Sequence, residues 1–113
     1  MAYRVEMTAL AEDDLESMYL WLKSSQSVEI ANVWYNQMDA AINSLETFPN
    51  RCPVAPEGRE FGIEVRQLLH GNRRSAYRII FHIKSVSEIE VVRVLRIRHS
   101  AQKNLRFDEL DLN

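Results

Sequence analysis

The sequence predicts an α+β fold of order β-α-α-β-β-β, with a helical hairpin packed on one face of a mostly antiparallel sheet. Three observations predict it. Apolar residues recur at helical spacing in two stretches of the first half. Three strand-like runs follow in the second half, separated by short polar turns. A Pro-rich loop lies between the halves. The 113 residues, 46% of them hydrophobic, suit a single domain spanning 1–113 with one core.

Residues 3–7, YRVEM, alternate and read as a first strand. Thr8 is the expected N-cap of a helix over 9–24, where Glu12, Asp13 and Asp14 lie near the positive end of the dipole. Ala11, Leu15, Met18 and Leu22 form its apolar stripe, with Tyr19 beside them. Ser27 caps a second helix over 28–47, striped by Ala31, Trp34, Met38, Ala41, Ile42 and Leu45. The short link between the two predicts an antiparallel hairpin. FPNRCPVAPEGREFG reads as a loop, and Cys52, the only cysteine, is expected to be partly buried within it. Strands are predicted over 63–70, 74–84 and 89–99, with HGNR and KSVSE as turns of a meander. The tail AQKNLRFDELDLN reads as a short helix or a loosely docked segment.

No run of about 18 or more apolar residues occurs, so no membrane helix is expected. The N-terminus lacks the basic-then-apolar layout of a secretory signal, and one cysteine allows no intrachain disulfide, so a cytoplasmic setting is expected. There is no nucleophile triad, Gly-rich phosphate loop or paired zinc motif. His70, His82 and His99 are spread over three element ends, so no metal and no cofactor are expected. The net charge of −2 conceals −6 over residues 1–62 and +4 over 63–113. That polarity predicts a basic working face, able to meet nucleic acid or an acidic protein.

Side chains alternate faces along a strand. The odd positions of the three late strands (Ile63, Val65, Leu69; Tyr77, Ile79, Phe81, Ile83; Val91, Leu95, Ile97) are mostly apolar and predict the helix-covered face. The even face mixes Arg66, Arg74, Arg78, Arg96 and Arg98 with an apolar patch of Leu68, Ile80, Val92 and Val94. A three-residue turn at Gly71–Arg73 and a five-residue turn at Ser85–Ile89 would align Arg66, Arg78 and Arg96 in a row. Like charges facing one another destabilise a sheet, so such a row predicts a bound anion, phosphate or carboxylate. The alternative is that the arginines pair with Glu64 or Glu90. Parity also puts Arg93 on the core side, where it must pair or escape at an edge. His99 shares that parity and reaches the basic face only if the strand ends or bulges there. RNA cleavage by internal 2′-OH attack needs a base, an acid and cations, which an arginine row with a histidine or tyrosine could supply. The same row could dock an acidic protein surface without chemistry.

The element order, together with FPNRCPVAPE, VRQLL, YRIIFHI and VVRVLRIRHS, resembles the RelE/ParE superfamily of toxins from bacterial type II toxin–antitoxin modules over nearly the whole chain. The resemblance implies a RelE/ParE-like fold and a growth-inhibiting toxin neutralised by a cognate antitoxin, in a toxin–antitoxin hetero-oligomer. RelE-like members cut messenger RNA on the ribosome, and ParE-like members inhibit DNA gyrase. If RelE-like, the catalytic residues carried over are Arg66, Arg78, Arg96 and His99, and Tyr77 joins Arg66, Arg74, Arg78, Arg96 and Arg98 among the target-binding residues. The terminal histidine is followed by Ser100 and Ala101 instead of further arginines, and Lys84 is the only lysine between Lys23 and Lys103. These departures favour ParE-like action on gyrase over a ribosome-dependent mRNA endoribonuclease, with an inactive toxin-fold binder as the third reading. The antitoxin is expected to offer a helix or extended segment of acidic and apolar residues, either to the patch of Leu68, Ile80, Val92 and Val94 or to the helical hairpin.

Overall fold

Two hydroxyl caps start the helical layer. In the computed structural model, which describes residues 2–72, 76–110 and 112, Thr8 and Ser27 accept hydrogen bonds from the N–H groups of Ala11 and Ile30, at 3.0 and 3.1 Å. They open helix α1 (Ala9–Ser25) and helix α2 (Val28–Asn43), which pack as the predicted hairpin. Residues 44–46 continue as a 3₁₀ turn. The sheet holds β1 (Arg4–Met7), β2 (Arg66–His70), β3 (Tyr77–Val86) and β4 (Ile89–His99) in the order β1-β4-β3-β2, with β1 parallel to β4 and the other pairings antiparallel. The predicted loop contains one further helix, α3 (Pro56–Phe61), opened by Pro56 and closed by Gly62 in the left-handed region at φ 67°.

The predicted register is corrected in two places. Strands β3 and β4 are joined by the two residues Ser87 and Glu88, both at positive φ, where a five-residue turn was expected. Glu90 therefore faces Ser85, and Lys84 faces Val91. A slip of one residue moves every side chain to the other face. Val92 and Val94 accordingly lie with Ile83 and Phe81 in the core beneath the helices. Arg93 lies on the opposite face, across from His82, and the predicted conflict at that position disappears. A bulge beside Ile80 and Phe81 absorbs Leu95 and returns Ile97 and His99 to the helix side. The Thr8 hydroxyl locks it by donating to the Leu95 carbonyl at 2.8 Å. Between β2 and β3, His70 faces Tyr77 and Leu68 faces Ile79, so the even positions of β2 belong to the helix side.

Both faces of the sheet are covered. The helix side buries Leu15, Trp34, Met38, Ile42, Ile79, Phe81, Val92, Val94 and Ile97, with Leu68 packed against them. The other side is a second core of Ala55, Val65, Ile80, Leu95, Leu105 and Leu110, formed where α3 and the C-terminal tail cross the sheet. The predicted partner patch is thus divided: Leu68, Val92 and Val94 belong to the first core and Ile80 to the second. Of the two expectations for the tail, the short helix holds: a 3₁₀ helix forms at Phe107–Glu109, and two buried leucines show that the segment is not loosely docked. Gly58 lets α3 sit this close. A Cβ there would lie 2.7 Å from the Val65 carbonyl oxygen and 2.8 Å from that of Ile63.

His82 gives the fold a pH dependence. Burial, then the Lys84 and Arg93 charges, push its imidazole below the ordinary 6.5, against an opposing pull from Glu6. The unfolded chain then binds the proton more readily, so stability falls as the pH drops below 6.5. His82→Gln is expected to flatten the slope of urea midpoints between pH 6.5 and about 5. Identical slopes for the two proteins would refute this.

Candidate functional site

The arginines singled out by the sequence do not form a row. Arg66 faces Phe81, Arg78 faces Leu69 on one side and Arg98 on the other, and Arg96 faces Ile80. Arg66 and Arg78 therefore lie on opposite faces of the sheet. Arg74 lies outside the described residues.

Most of these guanidinium groups have partners within the chain. Arg78 is buried on the tail side and forms a two-pronged ion pair with Glu57, at 3.0 Å through Nη1 and by a short contact through Nη2. Its Nε donates to Gln67 Oε1 at 2.8 Å. Glu57 is wholly buried at the start of α3 and also accepts the Leu105 N–H at 2.9 Å, which fastens the tail. Burial alone would raise the Glu57 carboxyl, but hydrogen bonds from Arg78 and Leu105, with the Arg78 charge, hold it below the ordinary 4.5. Arg96 is forked onto Asp14 of α1 at 2.8 and 3.0 Å, and its Nη1 donates to the Glu109 carbonyl at 3.2 Å. Asp14 also accepts the Ile97 N–H at 3.0 Å. Arg66 donates to the Cys52 carbonyl at 2.7 Å and to Glu64 at 3.2 Å. Arg98 donates to the Lys103 carbonyl. Internal pairing is present at Arg66, Arg78 and Arg96: Arg66 meets the expected Glu64, while the acids on the other two are Glu57 and Asp14. Sequence reading missed both. Glu57 lies in a stretch whose three prolines predict a loop, and Asp14 stands near a helix start, where the dipole alone accounts for an acid.

Tyr77, Arg98 and His99 do come to one place, where β3 begins and β4 ends beside α1. They line a cleft of about 540 Å³ with Met18, Trp21 and Gln102. Tyr77 stands edge-on between Trp34, at 5.2 Å between ring centroids, and His99, at 5.0 Å. Burial raises the Tyr77 hydroxyl above its ordinary value. His99 Nδ1 accepts the Ala101 N–H at 3.0 Å, which puts the proton of the neutral ring on Nε2. Cys52 is buried in the first core, and burial pushes its thiol up. Among the described residues no cluster of three or more potential ligands could hold a metal ion, and no helix is long and apolar enough to cross a membrane.

A chain from the chromosomal ParDE TA system of P. aeruginosa superposes with a TM-score of 0.65 at 19% identity, covering 87% of this chain and 96% of that one. At that identity the likeness speaks for the fold. No curated protein matches significantly. The profile described as ParE toxin of type II toxin-antitoxin system, parDE, matches residues 5–104. On that match, which covers the helical hairpin and the sheet from Val5 onward, the chain belongs to the ParE toxin family.

Proposed function

We propose that this ParE-family toxin acts by binding, with no chemistry of its own, and that its target is DNA gyrase. The observation that carries the reading is the internal neutralisation of Arg78 and Arg96 by Glu57 and Asp14. RNA cleavage needs cations free to meet a phosphate in the transition state. Two of the four residues carried over for that role are already held in forked ion pairs, and Arg66 lies across the sheet from Arg78. Gyrase is the target that the resemblance to ParE-like toxins implies. A cognate antitoxin is the partner that goes with the family, and the pair would assemble as a cytoplasmic hetero-oligomer. Purified toxin added to gyrase is expected to inhibit supercoiling and to trap cleaved DNA. Unchanged supercoiling at saturating toxin would count against the target.

The cleft supports a second reading, because it brings Tyr77, Arg98 and His99 together beside Trp21. An RNA nucleotide could stack there with its phosphate on Arg98. A message translated in vitro with the toxin would then show codon-linked cuts that disappear in His99→Ala. Intact message alongside inhibited gyrase would leave the binding mechanism standing.

A further inference from the structure

The helical layer is acidic, and little within the chain offsets it. Between residues 5 and 50 the only Lys or Arg is Lys23, against Glu6, Glu12, Asp13, Asp14, Glu16, Glu29, Asp39 and Glu46. Asp14 is taken up by Arg96. Glu12 and Glu16 stand four residues apart on α1, exposed, and neither carboxylate has an ion pair or hydrogen bond among the described residues. Like charges at that spacing repel on a helix surface. Both line a groove of about 700 Å³ along the hairpin.

The rest of the groove suits a cation with an apolar stem. Tyr19 and Tyr35 meet edge-on across the two helices, at 5.8 Å between centroids and 82° between planes. The Tyr19 hydroxyl donates to Asn32 Oδ1 at 2.7 Å, an oxygen with a second lone pair, and Asn36 also lines the groove. Aromatic faces attract a guanidinium or ammonium, and the methylene stem of Arg or Lys packs on such rings while its head meets carboxylates.

We propose that this groove receives a basic segment of the cognate antitoxin, one Arg or Lys side chain lying against Tyr19 and Tyr35 with its charge on Glu12 and Glu16. The proposal rests on membership of the toxin family and names the chemistry of its partner. It reverses the expectation of an acidic antitoxin segment. Charge complementarity selects this occupant: the arginines that an acidic segment would meet are mostly paired inside the chain, while these carboxylates are not.

The test is calorimetric titration of the folded toxin with the antitoxin encoded beside it, at several salt concentrations. Glu12→Gln combined with Glu16→Gln is expected to weaken binding by about tenfold or more and to reduce its salt dependence. Tyr35→Ala is expected to weaken it as well, while Asp13→Asn, on the same helix and outside the groove, should leave it unchanged. Unfolding curves confirm that each variant is folded. An unchanged affinity and salt dependence in the double variant would overturn the proposal. An equal loss in Asp13→Asn would also overturn it, since net charge would then be the cause. A wild-type chain that fails to bind that antitoxin would sink the toxin–antitoxin pairing itself, which is a different result from binding that ignores the groove.

Discussion

Glu57→Ala or Arg78→Ala is expected to lower the stability of the protein by about 3–5 kcal/mol, seen as a drop in the urea midpoint with little change in slope. Either change strands an unpartnered charge beneath α3 and the tail, and losing Glu57 also leaves the Leu105 N–H without its acceptor. A domain of this size has about 5–15 kcal/mol in all, so these single changes bring it near the threshold of folding. Replacing both residues together, Glu57→Leu with Arg78→Met, is expected to recover most of the loss, because an apolar pair of similar volume needs no desolvation of charge. Additive losses in the double variant would show that the pair is not the unit of the effect.

The same pair predicts an acid limb. The Glu57 carboxyl is held below 4.5 in the folded chain, so its contribution is present above the unfolded value and is lost as pH falls through the folded one. Glu57→Gln is expected to have lower stability at neutral pH and a shallower decline below pH 4.5. Toxicity assays on Arg78 variants have to be read beside their melting curves. Loss of growth inhibition in Arg78→Ala would follow from unfolding without any contact to a target.

The fold was legible where local chemistry is explicit. Thr8 and Ser27 announce the two helices, and the apolar stripes contain every buried residue of α1 and α2, with Met18, Leu22 and Ala41 partly buried beside them. The short helix α3 also carries the usual punctuation, Pro56 at its start and Gly62 after its end, hidden among three prolines. The site was less legible because it depends on register. Ser87 and Glu88 adopt left-handed conformations without the Asn-Gly or Asp-Gly signature of a two-residue hairpin turn, so nothing in KSVSE fixes the turn length. One residue of error there exchanged the faces of Val92, Val94 and Arg93. The Leu95 bulge then restored the predicted parity for Ile97 and His99, so the two ends of one strand obey different rules. The acids that neutralise Arg78 and Arg96 lie 21 and 82 residues away in the chain, beyond the reach of any local pattern.

Ending the chain after residue 103 is expected to unfold it, and Leu110→Ala alone to cost about 2–5 kcal/mol. The segment DELDLN looks like a solvated acidic tail, yet Leu105 and Leu110 are 2% and 0% exposed against Ile80 and Leu95. The tail also supplies the Leu105 N–H to Glu57, the Glu109 carbonyl to Arg96 and the Lys103 carbonyl to Arg98. Phe107 adds an edge-on contact to Phe61 of α3 at 5.6 Å. Truncation after residue 103 would uncover the second core and take a partner from Glu57 and from Arg96 together, a loss comparable with the whole stability of such a domain. Circular dichroism melts of the truncated chain and of Leu110→Ala check this. A truncated chain that melts like the full one would mean that the sheet stands on its helix side alone.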